Sequence, residues 1–373
     1  MNFTPTEEQR LLGDQVRALC EEHAPPQTLR ELITDNAPWR RELWDHMGEL
    51  GLLGAAIPES CGGVGLGPME LAVINRELGR AVAPVPFFSS CCMAAEAIRF
   101  AGTSEQQARW LPDLAAGRRV ATFAWAEPSA TLTARPLATS IDGNRIRGAK
   151  TPVPDAALAS LCVALADRGG KDCLAVVELD QPEVERKPLN GFDQLRHHAA
   201  IELRGAQCEV LQAKSGSGPI RALFDEFATL LAFEQVGGAE AALYMARDYT
   251  LQRYIFGRPL GSYQAVKHKL ADILAALELA HANALCAIET LAMGGRDSRT
   301  AAAAARIGAT GAYETAAREN LQLHGGIGFT WEANCHFHYR RARLLALSLG
   351  SVEVWSDILI DALAETASPP RAA

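Results

Sequence analysis

Polar and apolar positions along this chain follow three successive periods. Up to about residue 115, apolar residues recur three and four positions apart, as in Leu11, Leu12, Val16 and Leu19, and again in Leu71, Ile74 and Leu78. Glu70, Arg76, Glu77 and Arg80 take the other faces of the second run. Such spacing predicts amphipathic helices. Thr6-Glu-Glu-Gln9 offers a capping-box start for the first helix, and Pro25-Pro26 is expected to stop it. Further helices are expected over about residues 40–50, 69–81, 91–100 and 104–115, with the glycine-dense stretch 61–67 as a loop.

Between about residues 120 and 210 the period shortens. Short β-prone runs over 141–146, 160–165 and 174–179 alternate with Gly, Asp and Pro turns, which predicts a small β domain. Beyond about residue 218, helical spacing returns over 223–246, 260–291 and 301–321, enough for a bundle of four or five helices. The expected fold class is α+β, with an N-terminal helical domain (1–119), a central β domain (120–217) and a C-terminal helix bundle (218–373). A turn is expected at 294–299 and a frayed tail at 368–371.

With 373 residues, 48% of them hydrophobic, the chain can bury a large core split among two or three units. A formal net charge of −8 and the lack of a long basic run argue against nucleic-acid binding. No uncharged stretch approaches the roughly 20 apolar residues of a membrane span. The N-terminus has neither a basic nor an apolar leader region, so a cytoplasmic location is expected. Nine scattered cysteines, without metal or redox spacing, read as buried free thiols in a reducing compartment.

The most constraining stretch is Gln322-Leu-His-Gly-Gly-Ile-Gly-Phe329, with three glycines in four positions at the end of an alanine-rich helical run. Glycine permits positive φ and lets amide groups approach a ligand, as in phosphate-cradling turns, although a helix C-cap followed by a tight turn has the same composition. Upstream stand Arg253-Tyr-Ile-Phe-Gly257 and Gln264. Together these segments resemble the C-terminal signature of the acyl-CoA dehydrogenase family of flavoproteins, and the likeness spans about residues 3–363.

The resemblance implies an acyl-CoA dehydrogenase fold, FAD as cofactor, an acyl-CoA substrate and an electron-transfer flavoprotein as electron acceptor. It also implies that Arg253, Phe256, Gln264, Gln322, Gly325, Gly326 and Ser351 serve the ADP and pyrophosphate half of an FAD whose ring is held by a neighbouring subunit. The chain departs from the family where the ring is held. The first ring loop keeps Glu127-Pro128 but lacks the preceding hydroxyl and the Gly-Ser-Asp that follows. The second, after Gly148-Ala-Lys150, has Pro152 for the family's Trp and Pro154 for its Thr, and proline has no N–H to donate.

Dehydrogenation also needs a carboxylate to take the α-proton as the β-hydrogen leaves as hydride. The family's Glu position is occupied here by Leu349, before Gly350-Ser351. An alternative family position falls on Phe227, one residue from Glu226, a side chain rotated by about 100° on a helix. Glu226 is therefore expected to be a solvated surface residue and only an alternative base, as is Glu234. His324 is expected to be structural, and His197, His198, His336 and His338 lack a third ligand at metal spacing.

The chain thus resembles the base-less subunit of the heteromeric α2β2 acyl-CoA dehydrogenases of bacterial steroid side-chain degradation. It would act with a second acyl-CoA dehydrogenase-like subunit on a bulky acyl-CoA. Two other readings stay open: a self-sufficient homo-oligomeric dehydrogenase with a displaced base, and a flavin-free structural subunit.

Overall fold

A computed structural model describes residues 5–37, 39–128, 132, 136–294 and 297–367. Parts of the expected turn at 294–299 and all of the tail at 368–371 lie outside them. Among the described residues there are eleven α-helices. The first six are α1 (Glu7–His23), α2 (Pro26–Thr34), α3 (Arg41–Glu49), α4 (Pro68–Arg80), α5 (Glu96–Ala101) and α6 (Ser104–Ala115). The last five are α7 (Ser217–Gln252), α8 (Gln264–Met293), α9 (Ser298–His324), α10 (Cys335–Leu347) and α11 (Val352–Ala367). Helical N- and C-terminal regions thus flank a central mixed sheet, the expected α+β class.

The capping box of α1 forms as read: Gln9 N–H donates to Thr6 Oγ1 at 3.2 Å and Thr6 N–H to Gln9 Oε1 at 3.1 Å. Pro25-Pro26, expected only to stop a helix, also starts one, because Pro26 occupies the first position of α2, where its missing N–H costs nothing. A buried π-helical run, Phe88–Ala95, leads into α5.

Contacts divide the chain into two compact units. One comprises residues 19–71 and 84–227 and holds the sheet. Its strands are β1 (Ala121–Ala124), β2 (Ser140–Asp142), β3 (Arg145–Pro154), β4 (Leu161–Asp167), β5 (Asp172–Glu178), β6 (Val184–Leu189), β7 (His198–Gln207) and β8 (Glu209–Val210). The order is β6-β7-β3-β2-β4-β5-β8, with β1 parallel to β4. Residues 141–146, read as one strand, are two strands paired across a turn, with Ile141 opposite Ile146. Gly143 supplies the positive φ of that turn.

The other unit comprises residues 1–18, 72–83 and 228–373. Here α4 meets α7 backbone to backbone. A Cβ on Gly79 would stand 2.1 Å from the Glu234 carbonyl oxygen, and one on Gly237 1.9 Å from that of Arg76. Asn75 Nδ2 donates to the Leu230 carbonyl at 2.7 Å across the same contact. The charged chain Arg17–Glu77–Arg80–Glu240–Arg76 runs beside it. α8 is long and apolar enough to cross a membrane by length and composition alone, although charged residues such as Asp272, Glu278 and Glu289 interrupt it, as the sequence reading has it. It packs along α9 and buries Ile273, Leu277, Ala280, Ala284 and Ile288 on that face, with Leu274, Leu279 and Met293 exposed.

Candidate functional site

Arg253 follows the last residue of α7, with its N–H donated to the Tyr249 carbonyl at 2.9 Å and its carbonyl accepting from Leu260 N–H at 2.7 Å. A two-stranded hairpin follows, β9 (Tyr254–Ile255) and β10 (Arg258–Pro259). Its tip carries Phe256, 96% exposed and at φ +47°. Tyr263 braces the hairpin by donating its hydroxyl to the Ile255 carbonyl at 3.0 Å, under the Arg258 guanidinium. Gln264, exposed, opens α8.

The glycine turn 325–329 is a 3₁₀ segment at the end of α9, and its three glycines are there for different reasons. Gly325 has φ +62°, which a side chain resists. A Cβ on Gly328 would stand 2.5 Å from the Leu321 carbonyl oxygen. Gly326 has neither constraint, since a Cβ there would have open space around it. The turn is tied to the Arg253 segment through Tyr249, whose ring stacks on His324 with centroids 4.0 Å apart. The structure therefore brings the Arg253 end of α7 and the glycine turn together. Gln322 lies exposed on the last turn of α9.

Leu349 is buried and stands at φ +57°, a conformation that costs an L-residue about 1–2 kcal/mol. Two anchors hold it. Trp355 Nε1 donates to the Leu349 carbonyl at 2.8 Å. Arg306, fully buried, donates to the carbonyls of Leu345 at 2.5 Å and Ser348 at 2.7 Å, at the end of α10. Burial pulls the Arg306 guanidinium down to about 9, so it stays charged at neutral pH. Ser351 precedes α11 and hydrogen-bonds Glu353, lowering that carboxyl. The strained loop is intact, and its side chain is apolar.

In the sheet unit, the retained residues of the two ring loops bind each other. Lys150 Nζ lies 2.8 Å from Glu127 Oε1, and Ala138 and Thr139 N–H donate to the same carboxylate at 2.8 and 2.9 Å. Burial alone would raise the Glu127 pKa, but these donors outweigh it and hold it at about 2. The segment that follows is closed on itself. Thr151 N–H donates to the Ala126 carbonyl at 2.9 Å, Asp155 N–H to the His197 carbonyl at 2.8 Å, and Thr122 Oγ1 to the Pro154 carbonyl at 2.5 Å. Ser89 Oγ donates to Asp155 Oδ2 at 2.6 Å, and Val153 pairs with Ala199 in the sheet.

Phe227 is fully buried, its ring 5.1 Å from Phe123 and 5.9 Å from Phe224, with Trp125 against Phe224 at 5.9 Å. Glu226 is not the solvated residue expected from sequence: its side chain is 14% exposed and faces Glu96 and Arg99. Burial, then the Glu96 carboxyl, pushes Glu226 up to about 8 against the pull of Arg99 and Lys214. Glu234 is buried against Arg341 at 3.2 Å, as an ion pair rather than an open base.

The histidines pack. Tyr313 Oη lies 3.1 Å from His338 Nδ1, and burial with the nearby Arg341 and Arg80 pulls His338 down to about 4. His336 stacks on Trp331. No group of three metal-ligating side chains occurs among the described residues, and their cysteines are all free. Sequence reasoning missed Arg306, Tyr249 and Glu96. The adjacent tyrosine one turn before Arg253 was the available signal for the second, and nothing local marked the other two.

Two family descriptions match the chain, "Acyl-CoA dehydrogenase, N-terminal domain" over residues 6–118 and "Acyl-CoA dehydrogenase, C-terminal domain" over residues 214–364. Acyl-CoA dehydrogenase IpdE2 of Mycobacterium tuberculosis is 30% identical, over 91% of this chain and 92% of its own. Among solved structures, a variant of the Tcur3481-Tcur3483 steroid ACAD superposes at a TM-score of 0.90 with 31% identity, covering 97% of this chain and 99% of its own. The ChsE4-ChsE5 complex from Mycobacterium tuberculosis gives 0.91 with 27% identity, covering 99% and 100%.

Proposed function

Because this chain belongs to the acyl-CoA dehydrogenase family, whose members bind FAD, we propose that it is the base-less subunit of a heteromeric acyl-CoA dehydrogenase and completes the FAD site of a partner subunit. The observation that carries the reading is the closed segment 151–155. The N–H groups of Thr151 and Asp155 are bonded inside the protein and Pro152 and Pro154 have none, so four of its five main-chain positions offer no N–H to a flavin ring. The other half of the family's site fits a nucleotide. Arg253 is exposed, Phe256 projects into solvent, and Gly326 leaves space that internal packing does not claim.

In this reading Arg253, Gln264, Gln322, Gly325, Gly326 and Ser351 hold the ADP and pyrophosphate half of FAD, with Phe256 beside it. FAD, when bound, supplies hydride acceptance for the α,β-desaturation of an acyl-CoA. This chain moves no proton in that reaction, because Leu349 cannot accept one, and the carboxylate base belongs to the partner. The likeness to a steroid ACAD supports a bulky, steroid-derived acyl group, and the likeness to a two-component complex supports the heteromer. An electron-transfer flavoprotein takes the electrons, in the cytoplasm. The reading keeps the division into domains 1–119, 120–217 and 218–373.

The test is Arg253→Ala in the assembled complex. Charge-assisted hydrogen bonds to phosphate are among the stronger ones, so the variant should lose flavin while the fold stays intact. Unchanged flavin occupancy would remove the assignment.

A second reading rests on Glu226, whose raised pKa is what a general base in a dehydrogenase would show. Its carboxyl is already engaged by Glu96 and Arg99, and the neighbouring position that the family uses is filled by the Phe227 ring. Glu226→Gln separates the two readings, since loss of a general base lowers turnover by about 10² to 10⁴.

A further inference from the structure

Helices α7 and α9 meet along a seam with a constant offset of 75 residues. Gln235 Nε2 donates to Thr310 Oγ1 at 3.1 Å, and Asn320 Nδ2 donates to Met245 Sδ at 3.3 Å. The hydroxyl of Tyr249 donates to the His324 carbonyl at 3.4 Å, with the same offset. Gly238 lies against Tyr313, where a Cβ would stand 2.3 Å from the ring. Residue numbers rise together on both helices, so they run parallel, and positions 235, 238, 242, 245 and 249 follow a seven-residue repeat. Ala242 and Ala317, both fully buried, fill the middle rung.

The rungs below are closed by small residues or buried amides. The last rung is two half-buried rings, stacked at 23° and reaching main-chain groups at the helix ends. The Tyr249 carbonyl accepts the Arg253 N–H one turn on. His324 immediately precedes Gly325, and its Nδ1 lies 2.8 Å from the Asn320 carbonyl. A carbonyl can only accept, so Nδ1 carries the hydrogen. Burial lowers the His324 pKa, which leaves the ring neutral. His324 is thus fixed in tautomer by α9 and in orientation by Tyr249.

We propose that Tyr249 is a positioning residue: through its stack on His324 it sets the Gly325–Gly326 turn in register with Arg253, and so sets how tightly this chain grips the pyrophosphate of FAD. The proposal rests on the reading of Arg253 and the glycine turn given above. A packing role alone would need only an apolar contact, whereas the Tyr249 ring, on α7 four residues before Arg253, stacks on the residue that opens the glycine turn.

The test uses the complex purified from its source cells through a tag on this chain, and follows FAD dissociation by flavin fluorescence and the visible circular dichroism of bound flavin. Tyr249→Leu removes the stack and should weaken FAD about 3- to 10-fold, the range an aromatic pair supplies, with an altered dichroism. Tyr249→Phe keeps the ring and should restore affinity to within about twofold of wild type. His324→Ala, a smaller disturbance to folding, should resemble Tyr249→Leu, and His324→Phe should resemble wild type. Wild-type affinity and dichroism in both Tyr249→Leu and His324→Ala would overturn the proposal, as would equal losses for leucine and phenylalanine at 249. Arg253→Ala run alongside separates the two levels. If it strips flavin while Tyr249→Leu does not, only the positioning role fails; if neither variant changes flavin, the pyrophosphate reading fails first.

Discussion

Glu226 and Glu96 meet carboxyl to carboxyl, with Arg99 Nη2 3.6 Å from Glu226 Oε1 and Arg99 Nε 2.8 Å from Glu96 Oε2. Glu96 is 1% exposed, and its Oε1 meets no N–H or hydroxyl donor among the described residues. Two ionised carboxylates cannot hydrogen-bond, so the contact favours a proton on the pair, and burial with the Glu96 carboxyl raises the Glu226 pKa. Lys214, over the Phe100 ring, and the buried Cys91 thiol complete the surroundings.

The pair makes stability depend on pH. The folded pKa of Glu226 is raised, so its contribution is full below the ordinary carboxylate range and is lost as pH rises toward about 8. Glu226→Gln imitates the protonated form. It should flatten the fall of Tm across that window and, above pH 8, melt about 2 °C or more above wild type. Turnover of the Glu226→Gln complex should stay within a few-fold of wild type. A collapse of turnover with flavin content unchanged would instead promote the self-sufficient enzyme.

The glycine turn offers a contrast between neighbours. Gly328→Ala forces a Cβ against the Leu321 carbonyl and should destabilise the chain by about 1–3 kcal/mol. Gly326→Ala meets nothing internal and should leave the Tm of the isolated chain unchanged or slightly raised. In the complex, Gly326→Ala should weaken FAD by about tenfold, or about 1.4 kcal/mol. Equal flavin affinity in wild type and Gly326→Ala would show that nothing approaches that glycine.

Local pattern made the helices and the C-terminal motif readable, because period, capping and glycine density are properties of neighbouring residues. What pattern could not supply is what occupies a face. The period placed Glu226 off the alternative base position, but Glu96, which covers it, comes from another helix. Glu127 and Lys150 read as remnants of two flavin loops, and only the fold shows that they bind each other. The helix α2 is hidden in the sequence because a proline pair marks a helix end and a helix first turn alike. The seam between α7 and α9 is a tertiary register, invisible in either helix alone.

Leu349→Glu tests whether the missing base is the only deficit. The loop that would carry the carboxylate is already in its strained conformation, held by Arg306 and Trp355. The isolated variant should nevertheless show no acyl-CoA dehydrogenase activity in a dye-reduction assay, because Pro152 and Pro154 still have no N–H to offer a flavin ring. Its Tm should fall, since the new carboxylate replaces a buried apolar side chain. Measurable turnover by Leu349→Glu alone would mean that this chain holds a flavin ring after all.

The most direct measurement is FAD content per chain, in the protein purified alone and in the complex recovered with its partner. If this chain supplies only the nucleotide half of a shared site, the isolated protein should be nearly colourless and take up only traces of added FAD. The complex should be yellow and should lose that flavin on Arg253→Ala. One tightly bound FAD per chain in the isolated protein, retained on gel filtration, would contradict the account.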